Sequence, residues 1–564
     1  MQTSGQETQD LGSKMDSFKG IIMAFTMALV FRAFVIEGFE IPTGSMAPTL
    51  LGKHMLFRNA PSGSEWSVGP IDYFPRTSVP LPMQGGQMGN APTGPFRTDP
   101  LTVYDPMSRQ DQRGLQVPLR GGDRVFILKY IWPLYTPQRY DVVVFKNPRD
   151  PTQNYIKRLV GLGTEEVALI DGDVFSRPLQ DANAQKTEGV NTWGQDGWVI
   201  DRKDESTMRA LWQVVYDSEF VPINAAREGY STFRSPWIAI GENAKDWQID
   251  GKREYRFTSN KAAELSWDMA RRPVLDWYAY NQSPDRPNGF YPVSDIKMSL
   301  GIRPETQEQK VAAVWKVRGH EIRAQIDGTN ITITMKSAAE GEGQDSRVGQ
   351  LAKAELDAPL PTGKITNIEF WHADQAITVF VDGKSVVKGV YDWTPAQRVK
   401  FALKTTVEEV FTAKENLLTK PDLYVRPGVK MEFSGGPFTI SRVTLARDMH
   451  YQAVPYPPLN DATPSTLGGG SHTRAGEPAA ATHPRQPVIL AEGEYFFCGD
   501  NSPGSLDARM WEEAYPWAKR LGPKYGVVSR EALIGRAFMV YWPGLYWKYG
   551  YIPVFDTGRV RQVR

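Results

Sequence analysis

Asn154–Leu162 reads NYIKRLVGL, and its alternation sets the fold class. With a strand's period of two, Tyr155, Lys157 and Leu159 share one face and Ile156, Arg158 and Val160 the other. Comparable short runs lie on both sides: DRVFILKY (Asp123–Tyr130), YDVVVFKNP (Tyr140–Pro148) and VALIDGDVF (Val167–Phe175). They are β-branched or aromatic and bounded by Gly, Pro and Asn, as strands are. The Asp171-Gly172 pair suits a tight hairpin turn. The expected fold class is therefore mainly β.

The same stretch places a lysine between a phenol ring and an isobutyl group. A free lysine has a pKa near 10.4 and is neutral at pH 7 in only about one molecule in ~2,500, but apolar burial lowers that pKa by roughly 3–5 units. Lys157 is thus a candidate general base, with Lys129 and Lys146, each near a strand end, as rivals. A lysine base needs a nucleophile. EIPTGSMAPTL (Glu40–Leu50) offers Ser45 on a Gly-Ser turn.

That turn follows an apolar run, Phe18–Ile36, bounded by Lys19 and Arg32. As a helix its 19 residues would extend about 28 Å at roughly 1.5 Å per residue, near the thickness of a hydrocarbon core. We read residues 18–36 as a retained transmembrane anchor, since no small-x-small cleavage site follows, and residues 1–17 as a cytoplasmic tail, with Lys14 and Lys19 on that side. LIGRAFMVYWPGLYWKYGYIPVF (Leu533–Phe555) is interrupted by Arg536, Pro543, Gly544 and Lys548, and reads as strands and turns.

The remaining composition excludes several classes. Lys plus Arg total 65 against 64 for Asp plus Glu, so no basic field invites nucleic acid. One cysteine, Cys498, allows no internal disulfide, and the six histidines show no HExxH spacing. No metal and no cofactor is expected. Residues 61–120 are rich in Pro, Gly, Ser and Gln and read as a long loop. Residues 179–456 hold ten of the sixteen tryptophans and alternating runs with Asp-Gly turns at Asp327-Gly328 and Asp382-Gly383. They read as a separate all-β sandwich insert whose tryptophans form a core. Residues 457–487 read as a flexible linker, after which strand texture returns over 488–564.

Five motifs in order, IPTGSMAPTL, GDRV, YDVVVF, YIKRLVGL and GDNSPGSLDARMW followed by LIGRAFMVYWP, resemble bacterial type I signal peptidase. The likeness covers about residues 15–58, 118–178 and 488–545. It implies a signal-peptidase-type catalytic domain, 37–178 and 488–564, interrupted by the insert. It further implies Ser45 as nucleophile, Lys157 as general base, and Thr43 with the Ser45 N–H as oxyanion hole. Ser505 would orient the lysine, braced by Asp500, Asn501, Asp507 and Arg509. Phe39, Ile41, Met46, Leu50, Tyr155 and Ile156 would line pockets for small side chains at positions −1 and −3 of exported preproteins. The implied partners are preprotein signal peptides and membrane lipid, with export machinery a further candidate, and the implied location is the bacterial inner membrane, single-pass, catalytic domain outside. Ala508, where a serine is frequent, and Glu512, where a glycine is usual, depart from the pattern. The insert resembles a concanavalin-like jelly roll, which suggests a glycan or protein ligand. The competing reading is a membrane-anchored binding module on a vestigial peptidase scaffold. A self-cleaving repressor-type peptidase is disfavoured by the lack of a helix-turn-helix candidate.

Overall fold

The structure is a computed structural model that describes the chain outside residues 1–3, 71–101, 110, 114–116, 118, 130–135, 180–189, 223–232, 250, 283–289, 338–348, 457–473, 475, 512–515, 523, 549–551 and 555. The central part of the expected loop, most of the expected linker, and Glu512 fall outside the described residues.

A helix, Ser4–Phe34, includes most of the apolar run. Among the described residues no helix is long and apolar enough to cross a membrane, so the transmembrane expectation finds no support there. Lys19 stands near the start of the run, and Arg32 in the last turn of the helix. Its apolar side chains nonetheless stand away from the rest of the protein: Phe18, Ile21, Met23, Phe25, Met27 and Phe34 are each 63–67% exposed.

The helix leads into the edge strand Ile36–Glu40 of an eight-stranded sheet. Its main order is Ile36–Glu40, Arg124–Lys129, Leu533–Trp542, Val142–Lys146, Asn154–Gly161, Glu494–Cys498 and Val528–Ser529, with Arg561–Gln562 pairing with Leu533–Trp542. Strands from both ends of the chain are therefore interleaved. Val142 through Phe145 are all buried because their strand is central and covered on both faces. One face packs Ile41, Met46, Leu50, Val125, Ile127, Val144 and Ile156. The other packs Val143, Phe145, Leu159, Phe497, Cys498 and Trp511.

The Asp171-Gly172 turn joins Glu165–Ile170 to Asp173–Pro178, with Ile170 opposite Asp173. Both turn residues have positive φ, 48° and 92°, the geometry of the tight turns that suit twisted hairpins. Beyond it the chain enters two face-to-face sheets, one of eight strands and one of seven, around a single large apolar core. The Asp327-Gly328 and Asp382-Gly383 turns close hairpins as expected. Nine of the ten insert tryptophans are buried, and Trp277 is half-buried.

Several expectations are corrected. The insert is not all β: Glu205–Leu211, Pro395–Leu403 and Val407–Thr412 are helices, the last two opened by capping boxes from Thr394 and Thr406. Nor is it separate. Its strand Val199–Ile200 pairs with Phe175 and Ser176, and Tyr291, Val399 and Leu403 share a core with Ala168, Ile170 and Phe175. The expected loop 61–120 contains strands Glu65–Val68, Thr102–Tyr104, Asp111–Arg113 and Leu119–Arg120. The end of the expected linker is also ordered: Ala479, Ala480 and Ala481 are buried, and the Leu169 N–H donates to the Ala481 carbonyl at 2.7 Å. Small side chains that read as linker composition are what lets this backbone lie flat on the sheet.

Buried charges fasten the insert to the catalytic half. Asp171 accepts from Arg318 Nε at 2.5 Å and from Arg398 Nε at 2.9 Å, and Asp173 from Arg398 Nη2 at 2.5 Å. Lys203 pairs with Asp374 at 2.5 Å and Asp448 at 3.0 Å, and Arg318 with Asp295 at 2.9 Å. Oxygens of Asp173, Asp295, Asp374 and Asp448 lie within 4.8 Å of one another, a spacing that could hold a metal ion. Each of these carboxylates already has a buried cationic partner, so the cluster is chemically an ion-pair network.

Candidate active site

Ser45 lies in a single 3-10 turn, Gly44–Met46. The turn is closed by the Ala47 N–H on the Gly44 carbonyl at 3.0 Å and followed by the Leu50 N–H on the Met46 carbonyl at 2.9 Å. Asp123 stitches the segment to the sheet. Its carbonyl accepts from Ile41 N–H at 2.9 Å, its N–H donates to the Leu51 carbonyl at 2.8 Å, and its carboxylate accepts from Leu51 N–H at 2.9 Å. Gly52 lies flat against the turn, where a Cβ would come within 2.3 Å of the Thr43 carbonyl carbon.

Lys157, 112 residues away in sequence, reaches this turn from the strand Asn154–Gly161, and its Nζ and Ser45 Oγ are hydrogen-bonded. The Thr43 hydroxyl donates to Ser45 Oγ at 3.5 Å. Lys157 is buried, with its Nζ 5.7 Å from the Tyr155 ring centre. Burial lowers its pKa to about 8, against the opposing pull of the Asp507 and Asp500 carboxylates. That pull is limited because both carboxylates are committed elsewhere. Asp500 accepts two bonds from Arg158, at 2.7 and 2.6 Å, and Asp507 accepts from Arg509 Nε and Nη2, both at 2.8 Å. The rivals lie apart from Ser45: Lys129 pairs with Glu37 at 2.9 Å, and Lys146 is opposite Asn154 at the end of its strand.

The loop after Cys498 comes up beside Ser45. Asn501 N–H donates to the Ser45 carbonyl at 3.1 Å, and Asn501 Nδ2 to the Gly44 carbonyl at 3.0 Å. A Cβ on Gly499 would meet Ser505 Oγ at 2.2 Å and the Ser45 carbonyl oxygen at 2.4 Å, so glycine is what lets the two serine segments meet. Ser505 is buried there, but among the described residues its hydroxyl has no hydrogen-bond partner, so the expected bond to Lys157 is not formed. Lys157 Nζ is instead directed to Ser45. Arg509 ties the loop down through the Ser502 Oγ at 2.8 Å and the Gln452 carbonyl at 3.0 Å. Ala508 is fully buried, and its N–H donates to the Phe497 carbonyl at 3.1 Å. Cys498 is free and buried, and burial pushes its thiol pKa up.

Of the expected pocket residues, Ile41, Met46, Leu50 and Ile156 pack together with Phe39 against them. Met46 and Leu50 are fully buried, which makes them the floor under the turn; they are not exposed pocket walls. Tyr155 belongs to the opposite face, beside Phe145 and Trp511.

Four residues of the site escaped the sequence reading. Tyr278, Tyr280 and Asn281 come from the insert, and Gly499 signals itself only through its neighbours. Tyr280 shares a small cluster with Ala47 and Leu51. No local pattern marks them, since a buried aromatic in a tryptophan-rich region reads as core.

The family described as signal peptidase, peptidase S26, matches residues 104–214 and 427–542 of this chain. The two matched segments are similar to that peptidase family. The match holds Lys157 and Ser505 and begins after Ser45, leaving residues 215–426 between its parts. Signal peptidase I of Rickettsia typhi is 28% identical over 180 residues, covering 32% of this chain and 48% of the relative. Signal peptidase I of Rickettsia massiliae is 25% identical over 188 residues, covering 33% and 51%. The chain thus spans about half the length of these relatives. Among solved structures, a carbohydrate-binding module from Bacillus subtilis (8% identity, 38% of this chain and 96% of that one, TM-score 0.22) and a laminarinase from Rhodothermus marinus (12% identity, 42% and 98%, TM-score 0.24) are similar at levels that carry no argument about the insert.

Proposed function

We propose that the protein is a membrane-attached serine endopeptidase that removes signal peptides from preproteins, with Ser45 as nucleophile and Lys157 as general base. The observation that carries this reading is the hydrogen bond between Ser45 Oγ and a lysine whose pKa burial lowers to about 8. Neutral Lys157 takes the Ser45 hydroxyl proton as Oγ attacks the scissile carbonyl carbon. The oxyanion is stabilised by the Ser45 N–H and the Thr43 hydroxyl, each donor contributing roughly 3 kcal/mol in comparable sites. Collapse breaks the peptide C–N bond, and Lys157 returns the proton to the departing amine of the mature protein. Lys157 then deprotonates the water that hydrolyses the signal-peptide ester on Ser45. Cleavage after small residues at −1 and −3 follows from the family likeness, and the fully buried Met46 and Leu50 leave little depth beneath the turn.

Membrane attachment is supported by the outward apolar side chains of the N-terminal helix, whose last residues lead directly into the strand before Ser45. A bilayer-bound signal peptide would then meet the nucleophile near the membrane surface. A binding module on an idle scaffold is less well supported, because nine of the ten insert tryptophans are buried and cannot stack on a sugar. The test is processing of a preprotein by the full chain in detergent. Ser45→Ala and Lys157→Ala should abolish cleavage while Lys129→Ala retains it; cleavage by either of the first two would refute the assignment.

A further inference from the structure

Gly44 has no room for a side chain, and the obstruction comes from the insert. A Cβ there would stand 2.0 Å from Cε1 of Tyr280. The Tyr280 ring lies against the back of the nucleophile turn, its hydroxyl donates to the Lys53 carbonyl at 2.9 Å, and its own carbonyl accepts from Gly69 N–H at 2.8 Å. The next residue continues the contact. Asn281 Nδ2 donates to Asn501 Oδ1 at 2.7 Å and Asn501 Nδ2 donates to Asn281 Oδ1 at 2.8 Å, a reciprocal amide pair. Asn501 is the residue whose two N–H groups hold the Gly44 and Ser45 carbonyls. Two residues earlier, the Tyr278 hydroxyl donates to the Asp500 carbonyl at 3.0 Å.

We infer that Tyr278–Asn281 of the insert is a positioning strap for the nucleophile: it fixes the Gly44–Met46 turn against the Asp500–Asn501 loop and so aims Ser45 Oγ at Lys157. The inference rests on the Ser45–Lys157 reading for its catalytic consequence. Its geometry is independent of that reading. The strap is itself held from within the insert. Arg447 stacks on the Tyr278 ring 4.5 Å from its centre and donates to the Trp277 carbonyl at 2.9 Å. Gln452 joins Asp276 to Ser502: its side-chain amide donates to the Asp276 carboxylate and its backbone N–H to Ser502 Oγ at 2.8 Å. The sandwich therefore reaches the nucleophile through a continuous chain of contacts. None of these residues touches the reacting atoms, so their effect should appear in the chemical step and not in substrate binding.

The test combines kinetics and hydrogen exchange on the full chain in detergent, using a peptide that spans a signal-peptide cleavage site. Asn281→Ala should lower kcat on the order of tenfold to a hundredfold, as a nucleophile misplaced by a fraction of an ångström does, with KM and the melting temperature unchanged. The double variant Asn281→Ala/Asn501→Ala should be no slower than Asn501→Ala alone, because the two amides act as one unit. Amide exchange across residues 43–51 should accelerate in Asn281→Ala. Lys310→Ala, in an exposed ion pair with Asp327 on the sandwich, serves as the control and should match the parent in every readout. If Asn281→Ala does not fold, Tyr280→Phe keeps the ring and removes the hydroxyl that bonds the Lys53 carbonyl; a lowered kcat with faster exchange supports the strap. Parent-like kcat and exchange in the folded variant, or a loss shared between kcat and KM with a lower melting temperature, would overturn it. If the parent chain cleaves nothing, the function reading fails, and the exchange data alone decide whether the strap holds the turn.

Discussion

Lys157 meets two opposed demands. The proposed role as general base needs its amine neutral near physiological pH, and folding would rather leave an ammonium in water. With the folded pKa at about 8 and the free value at 10.5, the folded state binds fewer protons between those two pH values. The burden is therefore full below about pH 8 and fades as pH rises through that window. Activity should climb with a midpoint near pH 8 as neutral Lys157 accumulates, measurable as a pH–rate profile of peptide cleavage. Lys157→Met should be inactive yet more stable by roughly 1–3 kcal/mol at pH 7, read by denaturant unfolding, since each pKa unit corresponds to about 1.4 kcal/mol. Thr43→Val should cost on the order of a hundredfold in kcat with little change in KM if its hydroxyl serves the oxyanion. At this scale the sequence was informative where chemistry is local. The alternation around Lys157 places it beside Tyr155, and the Gly-Ser turn presents Ser45. It was uninformative about Ser505, whose buried hydroxyl has no partner among the described residues, because side-chain rotation leaves no trace in residue order.

Among the elements, strands read best. The runs around Asp123, Tyr140 and Asn154 all became strands, since a buried sheet imposes period two and apolar character together. The Ser4–Phe34 helix shows that hydropathy and structure answer different questions. It is a helix with exposed apolar side chains, and its charges at Lys19 and Arg32 limit how far that surface extends. Removal of residues 1–34 should release the protein from vesicles in a flotation assay while leaving cleavage of a soluble peptide largely intact, because the strand Ile36–Glu40 keeps its pairing with Arg124–Lys129. Cosedimentation of the truncated chain with the vesicles would show that attachment lies elsewhere. Residues 476–487 misled by composition: Ala, Pro and Gly favour linkers, but three consecutive buried alanines serve equally well for close packing on a sheet.

In the whole molecule, the boundary between catalytic half and insert dissolves into a shared interior. Arg398 is fully buried and paired with Asp171 and Asp173 on the catalytic side. Arg398→Met should destabilise the protein by about 3–5 kcal/mol, the effect of leaving buried charges without their partner, and urea denaturation would register it. Excision of the insert should fail for the same reason, giving no soluble, active core. Composition marks where the texture of the chain changes, because tryptophan-rich alternation differs from the Gly- and Pro-rich stretches that flank it. It could not reveal the buried ion pairs of Asp171 and Asp173 with Arg318 and Arg398, whose members are more than 100 residues apart and each look like ordinary surface charges.

The strap has a consequence for timing. Ser45 is made early, but the groups that aim it, Tyr280, Asn281 and Asn501, emerge from the ribosome far later. At roughly 5–20 residues per second the interval from Ser45 to Asn501 is about 20–90 s. Throughout it the nascent chain carries its nucleophile without the brace that directs it. Order of synthesis thus separates the serine from the groups that position it, and the Gly44–Met46 turn reaches its final setting only when most of the chain has been made.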